Sequence, residues 1–142
     1  MDEAKFITLD NCLTILIYTD RSKSTNHMEL FTFYGGNYSS YIDYNGKKRN
    51  IKEGSAHLLE HYVCENTVSG DLLDNLRKYN VLSCNAGTSA FNTSYFFNTV
   101  CNFYECLDTF LDGIYNVSFT NEKLNKTKYA VLNEIRDSQN NE

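Results

Sequence analysis

Two of the chain's three histidines stand four positions apart with a glutamate between them, in the run Gly54-Ser55-Ala56-His57-Leu58-Leu59-Glu60-His61-Tyr62. On a helix, positions i, i+3 and i+4 project to one side, so the side chains of His57, Glu60 and His61 converge. Two imidazoles placed this way can bind zinc, and a carboxylate between them is near enough to polarise a bound water without being a ligand itself. A catalytic zinc site needs a third protein ligand and an open fourth position, so one more ligand must come from elsewhere in the chain. The plainer reading is a solvated helix face that happens to carry two histidines. At this chain's His and Glu frequencies, HxxEH would arise by chance in about 0.4% of chains of this length, which disfavours that reading.

The elements that must position these residues can be read from hydrophobic spacing. Ser55 can cap a helix in which Ala56, Leu59, Tyr62 and Val63 recur at helical intervals. Upstream, Phe6–Leu9 and Leu13–Tyr18 form two β-branched runs around the turn dipeptide Asp10-Asn11, the pattern of a hairpin. A third strand is expected over Met28–Tyr34, ending at Gly35-Gly36. Residues 37–53 are polar, contain Asn45-Gly46 and Lys47-Lys48-Arg49, and are expected to form an irregular surface loop. Downstream, the pattern predicts a helix over Asp71–Tyr79 with Leu72, Leu73 and Leu76 on one face, and strands over Val81–Thr88 and Ser94–Val100. A helix over Tyr104–Tyr115 groups Leu107, Phe110, Leu111 and Ile114, and a last one, opened by Thr120 or Asn121, carries Leu124, Val131, Leu132 and Ile135. The expected class is α+β: a mainly antiparallel sheet with helices packed on one face.

Length and composition agree with one folded unit, since 142 residues with 42% hydrophobic and 14% aromatic content can bury a core. A net charge of -5, a pI near 5.2 and no basic cluster beyond Lys47-Lys48-Arg49 give no footprint for nucleic acid or an anionic membrane. The start, Met1 to Lys5, has no basic region followed by an apolar run, and no segment approaches about eighteen consecutive apolar residues. Neither export nor membrane spanning is indicated, and a cytoplasmic location is expected. The five cysteines, Cys12, Cys64, Cys84, Cys101 and Cys106, show no CxxC spacing and suit reduced, mostly buried thiols. His27 is expected to be a surface residue.

The run His57-Leu58-Leu59-Glu60-His61 resembles the inverted zinc motif of the inverzincins, the pitrilysin, insulin-degrading and mitochondrial-processing peptidase family. Further landmarks follow in family order. Gly54-Ser55-Ala56 precedes the motif, Cys84-Asn85-Ala86-Gly87-Thr88-Ser89 is similar to the family's Asn-Ala-x-Thr strand, and Tyr95-Phe96-Phe97 follows it. Val131-Leu132-Asn133-Glu134-Ile135 places a glutamate 73 residues after His61, where the family has a ligand. The resemblance implies that His57, His61 and Glu134 ligate Zn2+ and that Glu60 is the general base acting on the water that attacks a peptide carbonyl. It further implies that Asn85, Ala86, Gly87 and Thr88 bind an extended peptide as an added strand. The implied function is a zinc endopeptidase for short, unstructured peptides.

Two departures from the family pattern limit this expectation. A second glutamate is usual seven residues before the ligand glutamate, and here that position is Thr127. Family enzymes also enclose substrate between two related halves. Residues 1–142 are therefore expected to form a single truncated domain, an incomplete N-terminal half of a pitrilysin-like metallopeptidase, needing its C-terminal half or a homologous partner chain. The rival expectation is a noncatalytic peptide-binding or scaffold subunit of such an assembly. A purely structural zinc site with Cys64 as fourth ligand is a third.

Overall fold

A computed structural model describes residues 3–140, with the backbone alone at positions 138 and 139; the ends of the expected 1–142 domain lie outside the described residues. Eleven elements follow in order: strands β1 (Glu3–Thr8), β2 (Thr14–Thr19), β3 (Asn26–Thr32), β4 (Ser40–Ile42) and β5 (Lys48–Asn50), then helices α1 (Ser55–Glu65) and α2 (Leu72–Arg77). Strands β6 (Ser83–Thr88) and β7 (Thr93–Thr99) and helices α3 (Phe103–Tyr115) and α4 (Asn121–Asn140) complete the chain. The α+β class is as expected, and the strands divide into three antiparallel sheets: β1-β2, β3-β7-β6 and β4-β5.

The central sheet carries the core. Along β7, Thr93, Tyr95, Phe97 and Thr99 are buried while the residues between them are partly exposed, the period-2 signature of a sheet covered on one face. The register brings Ala86 and Leu30 beside Tyr95, and Cys84 and Met28 beside Phe97, onto that covered face. Val63 and Cys64 of α1, Leu72 and Leu76 of α2, and Cys106 and Phe110 of α3 pack against Tyr95 and Phe97. Helices α2 and α3 approach so closely that a Cβ on Gly113 would meet Leu72 Cδ1 at 2.6 Å. Burial of this cluster at about 25 cal/mol per Å2 of apolar area is what orders the sheet and its helices.

Several local details differ from the sequence pattern. The first hairpin closes through a three-residue loop, not the dipeptide Asp10-Asn11, because Cys12 takes a left-handed φ of 68° and Leu9 bonds to Leu13. Residues 37–53, expected to be irregular, contain the β4–β5 hairpin. Its turn is built by Asp43, whose Oδ1 accepts from the backbone N–H groups of Asn45 and Lys47 and whose Oδ2 accepts from Arg49 Nε at 2.8 Å, with Gly46 at φ 75°. Ser55 is the first residue of α1, not its cap; Gly54, left-handed at φ 77°, holds the cap position with no side-chain bond. Thr120 does cap α4, its Oγ1 accepting from Lys123 N–H. The apolar stripe of α4 is less covered than its pattern suggests: Val131 is buried, whereas Leu124, Leu132 and Ile135 are exposed. Among the described residues no helix is long and apolar enough to cross a membrane.

Candidate metal centre

The site lies where α1, α4 and the edge strand β6 meet. On α1, Tyr62, Val63 and Cys64 turn into the core, which leaves His57 and His61 on the rim, one above the other. The two imidazoles meet at 4.8 Å between ring centroids, with their Nε2 atoms 3.1 Å apart. Glu134 reaches them from α4, its Oε2 standing 3.1 Å from His61 Nε2 and 3.6 Å from His57 Nε2. Ligands at about 2.0–2.1 Å from a tetrahedral zinc ion would lie about 3.3–3.4 Å from one another. The observed triangle of 3.1, 3.1 and 3.6 Å fits that spacing, and two neutral nitrogen donors with one carboxylate suit zinc.

Helix α4 is brought to this point by two sets of contacts. Tyr62, almost wholly buried, stacks on Phe119 with ring centroids 4.9 Å apart, donates from its hydroxyl to the Ser118 carbonyl (3.0 Å), and accepts from Thr120 N–H (2.9 Å). The start of α4 is thereby fixed to α1. Two turns before Glu134, Thr127 is fully buried against α1, with its Oγ1 donating to Glu65 Oε2 at 3.0 Å.

Glu60 lies outside the three converging ligand atoms. It is 7% exposed, and Thr88 Oγ1 donates to its Oε2 at 2.8 Å. A buried carboxylate held by one hydroxyl on one oxygen can take a proton on the other.

His57, Glu60, His61 and Glu134 line one cleft of about 560 Å3 together with Asn85, Ala86, Gly87 and Thr88 of β6. All eight residues singled out in the sequence thus border one space. Strand β6 pairs with β7 alone among the described residues, so its other edge faces the cleft side unpaired by any strand. Gly36, Ser89 and Ala90 line the same cleft. They are placed by Gly35, where a Cβ would meet backbone atoms of Asn92 and Ser89 at 2.5–2.6 Å, so only glycine lets this segment lie on the β6–β7 turn.

Two features escaped the sequence reading. Thr88 turns its side chain to Glu60 in addition to lending its backbone to the strand, and strand alternation carried that signal. Glu65 stands 3.5 Å from His61 Nδ1, one turn further along α1, and the i, i+4 interval carried that one. Cys64, the candidate fourth ligand of a structural site, sits in the core cluster instead, where burial and then the Glu60 carboxylate push its thiol up to about 12. His27 is exposed and bonds to Asn98 and Glu29, on the sheet face away from the helices.

The model of the family described as Insulinase (Peptidase family M16) matches residues 47–142, which include His57, Glu60, His61, residues 85–88 and Glu134. A protein of Bacillus subtilis (strain 168) described as the uncharacterized zinc protease YmfH is 27% identical over 129 residues, which make up 89% of this chain and 29% of that protein. Among solved structures, an M16-like peptidase from Alicyclobacillus acidocaldarius shares the fold at a TM-score of 0.85 and 23% identity, covering 95% of this chain and 31% of that one. A protease from Helicobacter pylori gives a TM-score of 0.77 and 19% identity, over 96% of this chain and 31% of its own. The chain spans about three tenths of the length of these proteins. Matched by the family's model over residues 47–142, the chain belongs to the insulinase family of peptidases, M16.

Proposed function

We propose that this chain is the zinc-binding part of an endopeptidase that cleaves short, unstructured peptides. The observation that carries the reading is the convergence of His57, His61 and Glu134, all ligand atoms within 4.8 Å, beside a buried Glu60 that belongs to no ligand set. His57 and His61 through Nε2 and Glu134 through a carboxylate oxygen would hold zinc. When bound, the ion supplies Lewis acidity toward a peptide carbonyl and makes water easier to deprotonate.

The remaining steps belong to the chain. An extended peptide would add to the open edge of β6 along Asn85, Ala86, Gly87 and Thr88, with main-chain bonds setting its direction and its carbonyl brought to the rim of α1. Only a segment free of its own secondary structure can offer its backbone this way, which selects unstructured peptides. Glu60, fixed on one oxygen by Thr88, takes a proton from the attacking water as the carbon–oxygen bond forms. It returns a proton to the leaving nitrogen as the carbon–nitrogen bond breaks. The rest of the substrate-enclosing machinery would come from a further portion of an M16 assembly, either a C-terminal half or a homologous partner chain.

Peptide hydrolysis by the zinc-loaded protein, assayed alone and within an M16 assembly, tests the assignment with a Glu60→Gln variant. The variant is expected to lose hydrolysis by at least about 100-fold, the lower range of a general base's contribution, while binding zinc as before. Undiminished hydrolysis would overturn the role of Glu60. A zinc-loaded assembly that binds peptide but never cleaves it would make the chain a noncatalytic peptide-binding subunit.

A further inference from the structure

His61 faces a carboxylate on each side of its ring. Nε2 looks to Glu134 at 3.1 Å, and Nδ1 looks to Glu65 Oε1 at 3.5 Å. A neutral imidazole that gives its Nε2 lone pair to a metal carries its proton on Nδ1, so that proton needs an acceptor in the ring plane. Glu65 Oε1, 3.5 Å away, is a carboxylate oxygen within reach of that proton after a small closing movement.

Glu65 is itself held. Its other oxygen accepts from Thr127 Oγ1 at 3.0 Å, and Thr127 in turn accepts from Asn66 Nδ2 at 3.2 Å. The same amide group donates to the Tyr62 carbonyl at 3.1 Å, which fixes it as nitrogen and not oxygen. An amide nitrogen only donates, so the single hydroxyl proton of Thr127 is directed to Glu65. Thr127 and Asn66 are buried, where such bonds are not exchanged for water.

We propose that Glu65 is a positioning residue for the metal centre, holding His61 in the tautomer that frees Nε2 to ligate, and that Thr127 and Asn66 fix Glu65 for this task. The proposal rests on the zinc reading of the same site. It explains how a chain with threonine at position 127, where the family pattern leads one to expect a glutamate, still sets a carboxylate behind its ligands. The carboxylate comes from α1, and α4 supplies the hydroxyl that orients it.

The test uses the full chain and zinc alone, with affinity measured by competition against a chelator. Glu65→Ala is expected to weaken zinc about 10- to 100-fold with roughly one site retained, the usual effect of removing a carboxylate behind a ligating histidine. Thr127→Val should weaken it in the same direction by a smaller factor, and Thr127→Ser, which keeps the hydroxyl, should restore it. A second readout needs no metal: nitrogen-15 spectra of the metal-free chain in mildly alkaline buffer report which ring nitrogen of His61 carries the proton. Wild type should show Nδ1–H, and Glu65→Ala should shift toward Nε2–H. Unchanged zinc affinity in Glu65→Ala, or an unchanged tautomer, overturns the proposal. A wild-type chain that binds no zinc overturns the metal reading instead, and the tautomer measurement then still decides the role of Glu65.

Discussion

Helix α1 buries five of its eleven residues, while α4, twenty residues long, buries Thr127 and Val131 among its described side chains. Both bring candidate ligands to one point, so the proposed metal centre joins a tightly packed element to a more exposed one. His57, Glu60 and His61 inherit their places from the core, because Val63 and Cys64 of the same helix are packed into it. Glu134, with a side chain 54% exposed, depends for its place on the contacts that hold α4 against α1, among them those of Tyr62 and Thr127. The proposed ligand with the most exposed side chain is the one most sensitive to changes at a distance.

The contrast can be broken by truncating one side chain on α1 and two on α4 and following urea denaturation. Tyr62→Ala removes a buried ring, its stack on Phe119 and both bonds that fix the start of α4, and should cost about 3–5 kcal/mol. Val131→Ala on α4 should cost about 1–2 kcal/mol. Leu132→Ala, one position further on the open face, should stay within about 0.5 kcal/mol. Equal losses from all three would mean that α4 is packed as firmly as α1.

The smallest effect expected lies away from the site, in the β4–β5 hairpin. The Arg49 guanidinium, followed by the backbone N–H groups of the turn, holds the Asp43 carboxyl below the usual carboxylate range. A carboxyl with a folded pKa below its unfolded one stabilises structure above the unfolded value, and that contribution is lost as pH falls through the folded value. The amides of Asn45 and Lys47 should therefore exchange faster with solvent in acid than the intrinsic pH dependence predicts, while amides of β7 do not. Identical behaviour of the two sets would show that Asp43 does not organise the turn.

How much of this could be read from the residues follows from the same contrast. HxxEH on an amphipathic run, the alternating Tyr95-Phe96-Phe97 strand and the glutamate of Asn133-Glu134-Ile135 are local patterns, and the elements carrying them formed where expected. The β4–β5 hairpin has strands of three mostly exposed residues, too short for alternation to register, and depends on one aspartate side chain. Burial along α4 was overestimated because a helical apolar stripe states which face is apolar and not what covers it. Glu65 was legible as a helical neighbour of His61, yet its support by Thr127 joins positions 62 residues apart, a contact that only the packing of α4 on α1 creates. The left-handed cap at Gly54 replaced Ser55 because a glycine can turn the chain there without strain.

The measurement closest to the central claim is the zinc content of the chain after loading and dialysis, made beside a Glu134→Ala variant. Three converging ligands predict about one zinc per wild-type chain and a sharply weakened site in the variant. Zinc retained equally by Glu134→Ala, or absent from the wild type after loading, would contradict the account.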